Sequence, residues 1–191
     1  MKRRIVLLAG CVAAATLATL AVPVSRYTVW NASASVPTGL YAIRGKASLH
    51  VDERVAIEPP PELRRLLATR GYLPAGVPLL KRIAAVSGQR VCRFGHGVTI
   101  DGDFAGLART RDHRGRPLPA WYGCRMLRTG ELFVMNPAAS DSFDGRYFGM
   151  LRVADVIGRA TPVWTDEAGD GRHVWLANPR ATDIPVQPQG D

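Results

Sequence analysis

From Ile5 to Val24 no charged residue interrupts the chain, IVLLAGCVAAATLATLAVPV; beyond Ser25 the apolar runs are short and polar residues break them every few positions. An uncharged stretch of about 20 residues can cross a hydrocarbon core as a helix. Thr16 and Thr19 can return their hydroxyls to the helix backbone, so they do little to spoil the span. The basic head, residues 1–4 (MKRR), predicts a cytoplasmic N-terminus with the remainder outside. Two other readings stand beside the anchor. Thr19-Leu20-Ala21 loosely resembles a signal-peptide cleavage site, and Leu8-Ala9-Gly10-Cys11 a lipoprotein attachment site. The longer apolar run follows Cys11, which suits a spanning helix better.

After the span, helical periodicity is scarce. One short helix is expected: Pro60 and Pro61 open it, Leu63, Leu66 and Leu67 form its apolar stripe, and Gly71 stops it. Arg54 to Ile57 reads as a strand, as does Pro78 to Val86. Val98-Thr99-Ile100 followed by Asp101-Gly102 predicts a tight hairpin, because Asp-Gly supplies the positive φ angles of a primed turn. Cys124 to Leu127 and Glu131 to Met135, separated by Arg128-Thr129-Gly130, read as a second strand pair, and Val153 to Val163 as a last strand. Many short strands with hairpin turns argue for a mostly β, antiparallel barrel or sandwich behind one N-terminal transmembrane helix. The expected organisation is a cytoplasmic head (1–4), a transmembrane helix (5–24), an exported domain (25–165) and an irregular tail (166–191), on which Trp175 could still pack down.

Charge and cysteines refine this outline. The formal net charge is +9, with three of the positive side chains in the head. A basic exported domain can lean on anionic headgroups. The arginines are scattered, and no recognition-helix, zinc-finger or RNA-binding pattern accompanies them, so nucleic acid is not an expected partner. Of the three cysteines, Cys11 lies in the span and Cys92 and Cys124 remain as a pair outside it. In an oxidising compartment such a pair is a natural disulfide; two independent buried thiols are the other reading. Neither has metal-ligand spacing with any histidine, so no metal site is expected.

Three segments could carry chemistry. The first, NASASVPTGLY (Asn31 to Tyr41), places Ser33 and Ser35 beside Pro37 and Gly39, which is also ordinary turn composition. A serine needs a base to become a nucleophile. None of His50, His96, His113 or His173 has neighbours that mark it as one. Lysine is the better candidate: beyond the head only Lys46 and Lys81 occur. Lys81 interrupts an apolar strand, LLKRIAAV, where Lys81 and Arg82 face opposite sides, so one of them points inward. A buried lysine loses charge more easily and can fall toward the range of a general base; a lysine snorkelling from an edge strand is the alternative. The third segment, Ser140 to Gly149, mixes hydroxyls, acids, a base and aromatics. It reads either as a structural turn held by Asp144 and Arg146 or as part of a site with Ser142 bonded to an amine.

Taken in order behind an anchor, SVPTG, LLKRIAAVSGQRV and SDSFDGRYFG followed by VIGRA resemble the boxes of type I signal peptidases, membrane-anchored Ser/Lys endopeptidases. NASASVPTG with DGRYFG downstream is most similar to the conjugative-transfer branch, whose members mature pilin-like precursors. The likeness covers about Asn31 to Thr165. By position it implies Ser35 as nucleophile, Lys81 as general base, and Ser33 with the Ser35 backbone N–H as the oxyanion hole. It further implies Ser142 as the hydroxyl that orients the lysine and Asp144 with Arg146 as a supporting ion pair. Ser35 stands two residues before Pro37, the shorter spacing of the transfer branch. Val86-Ser87-Gly88-Gln89 and Val134-Met135-Asn136-Pro137 depart from the Pro-Gly-Asp and Gly-Asp-Asn of the general enzymes.

The expectation is therefore an inner-membrane, single-pass serine endopeptidase with a periplasmic catalytic domain and no cofactor. Its partners would be the lipid bilayer and a signal-peptide-bearing, pilin-like precursor cut after small residues. A general signal peptidase for exported proteins is the runner-up, and a non-catalytic anchored component of a secretion apparatus is the alternative from another class.

Overall fold

Alternation of apolar and polar residues, period two, decides most of the architecture, and the computed structural model, which describes residues 27–178, is built almost entirely of antiparallel strands. The expected head, transmembrane helix and Cys11, and the tail beyond residue 178, lie outside the described residues. Among those described, no helix is long and apolar enough to cross a membrane.

Two sheets form. The larger has the order β1 (Tyr27–Asn31), β2 (Thr38–Arg44), β11 (Val156–Asp166), β3 (Arg54–Ile57), β4 (Leu79–Val86), β9 (Glu131–Val134), β10 (Leu151–Arg152), with β12 (Val174–Trp175) also on β11. The smaller has the order β7 (Asp103–Leu107), β6 (Gly97–Ile100), β5 (Arg90–Phe94), β8 (Gly123–Met126). All pairings named are antiparallel.

The expected helix is α1, Pro61–Thr69; Leu63 and Leu67 are buried and Leu66 packs against the same cluster. The Asp101-Gly102 hairpin also forms: Ile100 pairs with Asp103, and both turn residues have positive φ (53° and 100°). The strand expected over Val153 to Val163 runs over Val156–Asp166, because Val153–Asp155 is wound into a 3-10 turn, and a further short strand, β12, follows it. β8 and β9 both exist but are not each other's partners. β8 pairs with β5, where Cys92 lies opposite Cys124, and β9 pairs with β4. Leu127, 2% exposed, drops between them into the core beneath the small sheet, so the chain changes sheet at the turn instead of doubling back.

The core has three parts. The main one lies between α1 and β3, β4 and β9; a second gathers Val36, Tyr41, Ile43, Ala56, Leu80 and Ala160; the third, with Val91, Val98 and Phe133, underlies the small sheet. A disulfide joins Cys92 and Cys124 across that small sheet. Beyond Asp166 the chain turns, its carboxylate accepting the Gly169 and Gly171 N–H groups at 2.8 Å, and β12 brings Trp175 onto Trp164.

Candidate active site

β1 and β2 form a hairpin in which Asn31 pairs with Gly39, and the segment between them carries Ser33 and Ser35. Composition alone reads this stretch as a turn. What makes it a rigid one is its anchoring. Val36 is buried (3% exposed) in the second core, the Pro37 carbonyl accepts the Tyr41 hydroxyl at 2.8 Å, and Gly39 lies against β11. A Cβ on Gly39 would stand 2.2 Å from the Trp164 carbonyl oxygen, and its φ of +132° is one that glycine alone adopts readily.

Lys81 comes from the middle of β4. The alternation sends it into the main core with Leu79 and Ile83, opposite Val55 on β3, while Arg82 faces the other side near Asp52. Lys81 is 2% exposed, and its ammonium donates to Ser142 Oγ at 2.9 Å. Burial lowers its pKa from the ordinary lysine value to about 8; Asp144 and Asp141 pull it back up, and Arg146 pushes it further down.

Ser142 is held by the third segment. Asp144 caps the short helix α2 (Gly145–Phe148) and binds Arg146 through two oxygens, each at 2.9 Å, with both side chains buried. The same guanidinium donates to the carbonyls of Ala139 (2.8 Å), Ser142 (3.2 Å) and Asn136 (3.3 Å). Burial alone would pull Arg146 down, yet the Asp144 carboxylate raises it above its ordinary range. One ion pair thus clamps the loop that presents Ser142. Phe143 stacks on Tyr147 and meets Tyr72 on the other side of this loop.

Ser33, Ser35, Lys81 and Ser142 all line one cavity of about 550 Å³, whose apolar wall includes Leu67, Val77 and Leu80. Asp144 and Arg146 stand behind it. Cys92 and Cys124 do not line it. Within this arrangement Ser35 Oγ hydrogen-bonds Ser33 Oγ at 3.1 Å, while Lys81 gives its bond to Ser142. A more open groove of about 700 Å³ lies over Ser87 and Cys124 to Thr129, with Arg125 and Arg128 as its ionisable groups; it offers no acid–base pair.

Of the histidines, His113 reaches the cavity rim, His50 sits beside Glu53, His96 faces the Ala108 carbonyl, and His173 stacks on Trp30 and lies tilted against Trp164. Among the described residues no cluster of His, Cys, Asp or Glu could hold a metal ion.

Two asparagines that composition does not mark are central to the site. Asn136 donates through Nδ2 to the Ser35 carbonyl and through its backbone N–H to Asp144 at 3.1 Å, so it ties the segment bearing Ser35 to the ion pair. Asn31, buried at the end of β1, donates to three carbonyls of its own hairpin loop. The one legible signal for Asn31 is an asparagine directly before a run of small residues, where its amide can close a turn.

The family model described as signal peptidase, peptidase S26, matches residues 2–165. Among curated proteins, the plasmid transfer protein TraF of Escherichia coli is 29% identical over 156 residues, covering 77% of this chain and 80% of the relative. The probable conjugal transfer protein TraF of Sinorhizobium fredii is 37% identical over 129 residues, 62% of this chain and 66% of the relative. A solved signal peptidase I from Enterococcus faecalis aligns with 60% of this chain and 98% of its own, at 17% identity and a TM-score of 0.36.

Proposed function

Because the chain belongs to the signal peptidase S26 family, we propose that it is a membrane-anchored serine endopeptidase that works through Ser35 and Lys81 and removes signal sequences after small residues, in the conjugative setting named for its relatives. The observation that supports this most is Lys81: a lysine buried in an apolar core, its amine bonded to a serine hydroxyl, in the cavity that also holds Ser35. A structural lysine has no need of that position, and a general base does.

The chemistry follows. Ser35 Oγ attacks the scissile carbonyl carbon as its proton passes to neutral Lys81. The carbonyl oxygen becomes an oxyanion held by the Ser33 hydroxyl and the Ser35 backbone N–H. Collapse breaks the C–N bond, and the proton on Lys81 goes to the leaving amine. Water then attacks the acyl-enzyme carbonyl as Lys81 again takes a proton; collapse breaks the Ser35 Oγ–C bond, the proton on Lys81 returns to Ser35, and the new carboxyl end departs. Ser142 keeps the amine aimed, and Asp144 with Arg146 keeps Ser142 in place. Residues 5–24 serve as the anchor that holds enzyme and substrate in one bilayer, which raises the effective concentration of the cleavage point. A pilin-like precursor is the substrate that fits this setting.

Co-expression of a pilin precursor with wild-type, Ser35→Ala and Lys81→Ala proteins tests the reading by product mass. Mature product with the wild type and none with either variant is expected. Undiminished processing by both variants overturns the dyad, and equal processing of ordinary exported precursors overturns the specialised role.

A further inference from the structure

Every polar atom of the Asn31 side chain is committed, and the pattern decides where two protons lie. Nδ2 donates to the carbonyls of Ser33 (2.7 Å), Val36 (2.9 Å) and Pro37 (3.0 Å). Carbonyls only accept, so this end of the amide must be the nitrogen and the other end Oδ1. Oδ1 faces the Ser33 N–H at 3.1 Å and Ser33 Oγ at 3.0 Å. Since Oδ1 can only accept, Ser33 gives it the one proton its hydroxyl has. The 3.1 Å contact between Ser33 Oγ and Ser35 Oγ then leaves Ser35 as the donor. The nucleophile's proton therefore points at Ser33, not at Lys81, whose own bond goes to Ser142.

We infer that Asn31 is a positioning residue: Oδ1 fixes the Ser33 side chain so that its hydroxyl stands ready to turn to a substrate oxygen as the oxyanion forms. The inference rests on the Ser35/Lys81 reading above. Two changes must coincide for attack: the Ser33 hydroxyl must turn from Oδ1 to the substrate oxygen, and the Ser35 proton must turn to Lys81. Asn31 thus acts through Ser33 and touches no reacting atom.

A double-mutant cycle tests this on the full-length protein in detergent, with an internally quenched peptide carrying alanine one and three residues before the scissile bond. Ser33→Ala should lower kcat by roughly 10²–10³-fold, as for loss of one oxyanion donor. Asn31→Ala should lower kcat by roughly 10–100-fold with KM little changed, a smaller loss than deleting the donor itself. The double variant should fall within about threefold of Ser33→Ala alone, because the effect of Asn31 runs through Ser33. Asn31→Asp, whose carboxylate would hold the Ser33 proton more tightly than the amide oxygen does, should lower kcat in the wild-type background and not in the Ser33→Ala background. Thermal midpoints accompany each variant. Multiplicative losses in both cycles, or failure of both Asn31 variants to fold, assign Asn31 to the framework and overturn the inference while leaving the dyad intact. A Ser33→Ala enzyme as fast as wild type overturns the inference through the oxyanion hole. Cleavage by Ser35→Ala overturns the inference and the dyad together.

Discussion

Lys81 Nζ stands 2.9 Å from Ser142 Oγ, and the two side chains, from β4 and from the loop before α2, are 2% and 3% exposed. A hydroxyl can accept from an ammonium or donate to a neutral amine, so this contact survives the loss of the lysine proton and keeps the amine aimed in both states.

Activity should follow the deprotonation of Lys81. The amine is charged below about 8 and neutral above it. The kcat/KM profile should therefore rise tenfold per pH unit on the acid side and level off above a midpoint near 8. A profile flat from pH 6 to 10 would remove Lys81 as the base.

The same burial makes Lys81 a liability for the fold. Its folded pKa lies below that of the unfolded chain, so the unfolded state binds more protons between about 8 and the ordinary lysine value. Stability from this group accordingly rises with pH across that window and is lowest beneath it. Lys81→Met should be inactive yet more stable at pH 7 by roughly 1–3 kcal/mol, with the advantage fading by about pH 10.5. Urea unfolding at both pH values checks this, and a destabilised variant at pH 7 would contradict it.

Ser142→Ala should leave folding almost unchanged and reduce kcat by about 10–100-fold, since it frees the amine without removing it. KM should hold. Ser142→Thr should recover part of the loss, because it restores a hydroxyl in the same place.

Gly39→Ala tests the seating of the nucleophile hairpin. The added carbon would meet the Trp164 carbonyl oxygen at 2.2 Å, and no flexible side chain is there to yield. A destabilisation of about 2–4 kcal/mol is expected from the forced separation of β2 and β11, with activity falling further than stability alone explains. Calorimetry and peptide cleavage measured together separate the two effects.

Removing the disulfide should be felt in stability far more than in catalysis. Cys92 and Cys124 are 32 residues apart in sequence and lie outside the catalytic cavity. The Cys92→Ser/Cys124→Ser variant should lose about 3–4 kcal/mol by the chain-entropy argument and keep its kcat at temperatures well below unfolding.

Local signals made parts of this arrangement readable before the fold was known. Strand alternation narrows the inward residue to Lys81 or Arg82, and Asp144 and Arg146, two residues apart, are legible as a pair that could hold a turn. The Asp-Gly hairpin needed only its turn. Partners distant in sequence were a different matter. β8 and β9 look like a hairpin along the chain, yet a buried Leu127 and a disulfide to β5 send them to separate sheets. β1 and β2 were hidden because the segment between them has turn composition and both strands flank it closely. The roles of Asn31 and Asn136 depend on carbonyls that converge only once the hairpin has closed, and residue type alone cannot announce that.

β1 has one more effect, which is metric. Its five residues, Tyr27–Asn31, form a strand about 16 Å long at ~3.3 Å per residue, running without a break into the segment that bears Ser35. With residues 5–24 as anchor, as proposed, the length of this strand would help set how far Ser35 stands from the membrane surface. Lengthening it by two residues would keep every side chain on its face but carry the catalytic hydroxyl one step farther from the bilayer. Lengthening it by one would turn the residues before the insertion to the opposite face. If Ser35 attacks as proposed, the point at which a precursor is cut would then depend on a count of residues in the enzyme as well as on the shape of its cavity.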